Sequence, residues 1–296
     1  MDYKSGNIDL HIHSTASDGT LTPVEILALA RNLKLAAIAI TDHDTIAGSK
    51  ELLCQGIPSD IQFLTGVEIS ASWPPNFSGN GSLHILGYGI GLDDQTLNNT
   101  LDTLQKARKN RNPQIINRLN SVGFDISMED VIEEAGADGQ IGRPHIARVM
   151  VKKGFVASIG EAFEQYLGTD RPAYVDKYRV ACSRAIEIIR AAGGIPVLAH
   201  PVLLQMESNE FLKKFVIALT AMGLQGIEVY YPEHTPEDVD LYQSIAKNNK
   251  LLMTGGSDFH GSLKPSVSMG SGTGSLSVPY KLFERLTRET AENEQQ

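Results

Sequence analysis

Apolar residues in this chain fall into short continuous runs separated by longer amphipathic stretches. Ile8 to His13 alternates and ends in polar residues, and Ala36 to Ile40 is unbroken, as in a strand buried on both faces. Further short runs lie at 61–67, 83–88, 195–199, 226–230 and 251–254. Thr22-Pro23-Val24-Glu25 reads as a capping box with Pro at the first helical position, predicting a helix to about Leu33. Helical spacing recurs at about 182–192, 210–222 and 236–248. Strands alternating with helices predict a parallel sheet. The polar residues that follow the runs would gather at one end of such a sheet, the face on which α/β barrels carry their sites. The expected fold is α/β: a distorted (β/α)7-type barrel with a helical insertion domain. Ser266 to Ser277, rich in Ser and Gly, is either loop or edge strand.

The insertion is read from a break in rhythm. From 98 to 172 the pattern is helical throughout, with segments at 96–122, 127–135, 143–154 and 158–167. This predicts a discontinuous barrel, 1–97 and 173–284, with 98–172 as an insertion or lid. The polar stretch from Glu284, counted as a tail over 285–296, is expected to fray. There is no internal repeat.

Composition narrows the class. The chain has 296 residues, 42% hydrophobic and 21% charged, with a net charge of −9. Residues 100–172 hold ten Lys/Arg and ten Asp/Glu, so the remainder, sixteen against twenty-five, carries the whole excess. The middle segment is therefore the less repulsive face for an anion. No apolar run of about 18 residues is present, so no membrane span is expected. The first residues enter a strand with no signal-peptide pattern, and Cys54 and Cys182 lack any paired spacing. A reducing, cytoplasmic setting fits, with no membrane or protein partner predicted.

Six of the eight histidines stand at predicted strand ends near carboxylates. They occur in His11-Ile12-His13 followed by Asp18, in Thr41-Asp42-His43-Asp44, in Leu83-His84-Ile85, in Ala199-His200-Pro201 and in Ser257-Asp258-Phe259-His260. Side chains alternate along a strand, so His11 and His13 face the same way and can share one ion. Glu68, in Gly66-Val67-Glu68-Ile69-Ser70, is the only glutamate of the set at a strand end, which makes it the natural bridge between ions. Imidazole and carboxylate donors suit Mn, Zn or Fe, and two or three divalent metal ions are expected.

The order of these motifs resembles the polymerase and histidinol phosphatase (PHP) family of metal-dependent phosphoesterases, over residues 8–90 and 175–262. Within it, the chain is most similar to small bacterial enzymes acting on 3′,5′-nucleoside bisphosphates and on the 5′ ends of short RNA. Asp18 in the first motif and Gly142-Arg143-Pro144-His145 in the insertion carry that likeness. The resemblance implies a trinuclear site. One ion would take His11, His13, Glu68 and Asp258; a second Glu68, His84 and His200; a third Asp18, His43 and His260. Glu68, Asp18, His43 and His260 would carry the catalysis, and Arg143 and His145 would bind substrate phosphate. The implied reaction is attack of a metal-bridging hydroxide on phosphorus, converting pAp to AMP or trimming RNA as an exonuclease. A metal-bound water, or a non-ligating acid such as Asp42 or Asp44, is a candidate proton donor to the leaving oxygen. Alternatives are a histidinol-phosphate phosphatase, an amidohydrolase-type C–N hydrolase and a non-catalytic metal-binding module. The insertion and Asp18 argue against the first, and the lack of a strand-end Lys against the second.

Other polar and aromatic positions read as structural. Asp44 is expected to be a turn or cap residue, and Arg108, Lys109 and Arg111 a solvated helix face. His234 belongs to a loop, Tyr230 and Tyr231 pack, and both cysteines are expected to be buried.

Overall fold

The computed structural model describes residues 6–136 and 141–293. The strands are β1 (Ile8–Ile12), β2 (Ala37–Ile40), β3 (Gln62–Ser72), β4 (Leu83–Tyr88), β5 (Val180–Ala181), β6 (Ile195–Leu198), β7 (Gly226–Tyr230) and β8 (Leu252–Gly255). They form one curled sheet in the order β1-β2-β3-β4-β6-β7-β8, with β5 on β3. The helices are α1 (Pro23–Asn32), α2 (Ala47–Gln55), α3 (Gln95–Ser121), α4 (Met128–Ala135), α5 (Arg143–Lys152), α6 (Ile159–Ala162), α7 (Cys182–Ala191), α8 (Asn209–Ala221), α9 (Pro236–Asn248) and α10 (Tyr280–Asn293). A five-residue π turn, Phe163–Leu167, extends α6.

The expected parallel sheet needs one correction. β4 runs antiparallel to both β3 and β6, while the other long neighbours are parallel. Reversal brings the start of β4, where His84 sits, to the end of the sheet at which the other strands finish. The sheet curls until β1 meets the segment after β8. Ile12 bridges Phe259, and Ser257 donates from N (2.8 Å) and Oγ (2.5 Å) to the buried carboxylate of Asp9.

Side-chain phase along β1 also departs from simple alternation. Between Asp9 and Ile12 the pairing with β2 advances three residues on β1 against two on β2. Ile8 and Leu10 therefore join the inner apolar cluster, whereas Ile12 joins the outer one with Ile38 and Ile40. The extra residue is a β-bulge, and it turns His11 and His13 inward.

The inner cluster combines Leu64, Leu86, Tyr88, Ile195 and Val197 with Leu282, Phe283 and Leu286 of α10. The expectation of a fraying tail from Glu284 is thus replaced by a helix whose apolar stripe plugs the floor of the curl, with Leu286 fully buried. Residues 294–296 lie outside the described residues. α2 was likewise not legible, because Ala47–Gln55 buries only Gly48, Ser49 and Leu52. Ser266 to Ser277 forms turns rather than a long strand.

α1 has the predicted cap: Thr22 Oγ1 accepts from Glu25 N and Glu25 Oε2 accepts from Thr22 N. Thr22→Ala is expected to cost about 1 kcal/mol, read as a lower urea midpoint at unchanged m-value.

The helices between β4 and β5 have an apolar cluster of their own, running from Ile115 to Val175. The first half of α3 does not belong to it: Leu97, Leu101 and Leu104 pack with the main core. Pro113, which cannot donate to the helical ladder, stands at the changeover.

Candidate metal centre

The nine histidine and carboxylate positions singled out from the sequence stand together at one end of the curl. His11, His13, Glu68 and Asp258 form one group of converging donor atoms, His43, Glu68 and His84 a second, and His13, Asp18, His43 and His260 a third. His200 joins the second through Glu68 Oε1 at 2.9 Å and His84 Nδ1 at 3.3 Å. Compared with the sets implied by resemblance, His43 also reaches Glu68 and His13 also reaches Asp18.

Glu68 lies at the middle. Its Oε2 is 3.4, 3.2 and 3.0 Å from ring nitrogens of His11, His13 and His43. Its Oε1 is 2.8 and 2.9 Å from those of His84 and His200. The first group has the dimensions of a coordination shell. His11 Nε2 and His13 Nε2 are 3.5 and 3.1 Å from Asp258 Oδ1, close to their distances from Glu68 Oε2. Four donors about 2.1 Å from a tetrahedral ion stand roughly 3.4 Å apart. The atoms a cation would satisfy are also left over by the protein. His11 Nε2, His13 Nε2, Asp18 Oδ1, His43 Nδ1 and Glu68 Oε2 are buried without a hydrogen-bond partner, which is costly unless something else meets them. The residues present therefore fit divalent metal ions.

The electrostatics point the same way. Burial opposes ionisation of Glu68, yet the charges of His43, His84 and His11 outweigh it and hold the carboxyl well below its usual range. Asp18 and Asp258 are likewise buried and held well below theirs, by His43 and His260 and by Lys264 and His260 respectively. Burial pushes His84 and His260 down to about 4, favouring the neutral imidazole that ligates metal. His13 is buried too, but its bonds to Asp258 and Glu68 raise it to about 9. Proton and metal ion compete for the same ring nitrogen there.

Several supporting residues carried no sequence motif. Tyr231 Oη (2.9 Å) and Lys264 Nζ (2.6 Å) both donate to Asp258 Oδ2, leaving Oδ1 for the first group. Glu228 stands behind His11, its Oε1 2.9 Å from Nδ1. His200 and Asp258 have φ of 25° and 54°, a strained backbone kept only where surroundings enforce it.

Asp44 does more than expected, and the arginines are corrections. Asp44, φ 56°, lies in the turn expected but is also a buried junction: Arg108 Nη2 (2.7 Å) and Lys177 Nζ (2.9 Å) both end on its Oδ2. Its other oxygen accepts from Ser70 N. Asp42 accepts from Ser14 N, Ser14 Oγ and Ser17 Oγ. Neither carboxylate is free to serve a leaving oxygen. Arg108 and Arg111, expected in solvent, are 7% and 4% exposed, while Lys109 is exposed. Cys54 is exposed rather than buried.

Arg143 Nη1 donates to Leu167 O at 2.9 Å, and its guanidinium lies 5.6 Å from the ring centres of both Phe163 and Tyr174. His145 is buried, with Nδ1 accepting from Gly142 N. Gly142 itself approaches the third group: a Cβ there would lie 3.4 Å from Asp18 Oδ2. Arg111 has company of like charge. Burial first, then Arg108, Arg143 and Arg179, lower it to about 9, and its Nε has no partner. His234 is in the loop expected, and Tyr231 packs against His200.

The PHP domain matches residues 9–264. A 5′-3′ exoribonuclease of Haemophilus influenzae is 35% identical over 252 residues, 85% of this chain and 89% of that protein. A 3′,5′-nucleoside bisphosphate phosphatase of Chromobacterium violaceum is 34% identical over 254 residues, 86% and 87%. A solved structure from Bifidobacterium adolescentis, proposed to be a metal-dependent phosphoesterase, superposes with a TM-score of 0.83 at 30% identity, covering 95% of this chain and 96% of that one.

Proposed function

The chain belongs to the PHP domain family, and from that membership we propose that it removes the 3′-phosphate of 3′,5′-nucleoside bisphosphates and trims short RNA from its 5′ end. The observation that carries this choice of substrate is a group of cations beside the metal centre, Arg108 and Arg111 buried and the others half-buried. Arg108, Arg111, Arg143, Lys177 and Arg179 influence one another electrostatically, and the carboxylates they contact are Asp44 and Asp176. A chain of net charge −9 that concentrates positive charge in one place is fitted to a ligand with a second phosphate.

In this reading the ligands are the nine residues implied by resemblance, with Glu68 as the bridge and the helices that share the separate apolar cluster, from Ile115 on, as a lid. Bound divalent cations would polarise phosphoryl oxygens and lower the pKa of the attacking water. The protein's own residues orient and hold. Tyr231 and Lys264 fix Asp258, and Arg111 and Arg143 grip the phosphate that is not cleaved, placing the other against the centre. No helix among the described residues is long and apolar enough to cross a membrane; a cytoplasmic setting belongs to the same proposal.

The test is phosphate release from 3′-phosphoadenosine 5′-phosphate with Mn²⁺ and with chelator, identifying the product. Metal-dependent release of one phosphate with AMP as product is expected. Hydrolysis of histidinol phosphate in its place would move the chain to that other substrate. Arg143→Ala and Arg111→Met are each expected to raise KM for the bisphosphate about 10–100-fold. Turnover of a small aryl phosphate should change little, and equal effects on both substrates would remove the two arginines from phosphate recognition.

A further inference from the structure

Glu228 is fully buried on β7 and pairs with no Lys or Arg among the described residues. Its two oxygens serve two different places. Oε1 lies 2.9 Å from His11 Nδ1, and Oε2 accepts from the backbone N of His200 at 2.7 Å. His200 holds the unusual φ of 25° at that point. Beyond these two residues the contacts close on themselves. His11 Nε2 faces Glu68 Oε2 at 3.4 Å, and His200 Nε2 faces Glu68 Oε1 at 2.9 Å. Glu68, His11, Glu228 and His200 therefore form a ring in which one carboxylate stands opposite the other.

We propose that Glu228 is a positioning residue that sets two metal positions at once. This rests on the reading of the donor groups as metal sites. By accepting from His11 Nδ1–H it presents the Nε2 lone pair to the first group, and by bonding His200 N it holds that imidazole toward the second. Only a carboxylate does both. A glutamine has one acceptor oxygen, so its amide would meet either the N–H of His11 or that of His200 with another N–H. Groups that hydrogen-bond the far nitrogen of a ligating histidine typically contribute about tenfold to a hundredfold in metal affinity.

The experiment is competition for Zn²⁺ between the protein and a chromophoric chelator, with wild type and Glu228→Gln. Glu228→Gln is expected to weaken two ions by about 10–100-fold each. Wild-type affinity in Glu228→Gln, or weakening of a single ion, overturns the proposal. Failure of the wild type to bind Zn²⁺ would instead remove the metal-site reading, so the two failures are distinguishable. Should Glu228→Gln not fold, imidazole ¹⁵N shifts of zinc-loaded wild type decide. His11 ligating through Nε2, with a hydrogen-bonded proton on Nδ1, is expected. Ligation through Nδ1 overturns the role.

Discussion

Glu68→Gln is expected to lower phosphoester turnover at least about a hundredfold while the fold stands, the size of effect seen when one preorganised charge is lost from a catalytic centre. Each oxygen of Glu68 faces a different set of imidazoles: Oε2 meets His11, His13 and His43, and Oε1 meets His84 and His200. An amide leaves one set facing an N–H₂ in place of a lone pair, and it removes a negative charge shared between the sets. Turnover with a bisphosphate, metal content and far-ultraviolet circular dichroism measured together check this. Retention of more than about a tenth of the activity with full metal content would end the bridging role.

Asp44→Asn is expected to cost about 3–5 kcal/mol of stability, because it leaves Arg108 and Lys177 buried without their counter-charge. Urea unfolding reads the loss. Amide exchange should also rise in α3 near Gln105, whose Nε2 donates to Asp44 O. The pH dependence follows from the same contacts. Burial opposes the charge on Asp44, but Lys177 and Arg108 overcome it and hold the carboxyl far below its usual range. A depressed acid stabilises the fold fully above its unfolded value, near 3.9, and the contribution fades as pH falls below that. Wild type should therefore lose more stability than Asp44→Asn on acidification below about pH 4. Parallel loss in the two proteins would show that Asp44 is not ion-paired in solution.

The candidate ligands were legible because chemistry restricts them. Histidine at the end of an apolar run has few structural uses, and His11, His43, His200 and His260 stood out because several such motifs recur along one chain. Their supports were not legible. Glu228 sits inside Gly226–Tyr230, which reads as an ordinary strand, and it acquires meaning only when β7 comes opposite β1. Arg108 and Arg111 lie on a helix with a polar average, and whether such a face meets water depends on what docks there. The phase of β1 was hidden for a related reason. Alternation puts His11 and His13 on one side, but the side is set by the bulge against β2, a property of pairing rather than of either strand. The direction of β4 was lost because a short apolar run carries no polarity of its own. α10 was missed because its stripe, Leu282, Phe283 and Leu286, is diluted by eleven other residues, most of them polar.

The closure of β1 on the segment after β8 bears on how the protein is made. His11 and His13 emerge early in synthesis and Asp258 late, and their donor atoms meet only when the two ends of the sheet join. For most of translation the nascent chain holds His11, His13 and Glu68 without Asp258, and Asp18 and His43 without His260, so an ion meets incomplete groups and cannot template folding as it does in a small zinc module. The scaffold must be nearly complete before metal is captured. Metal supply then governs how much of the finished protein is active and leaves the yield of folded chain largely untouched.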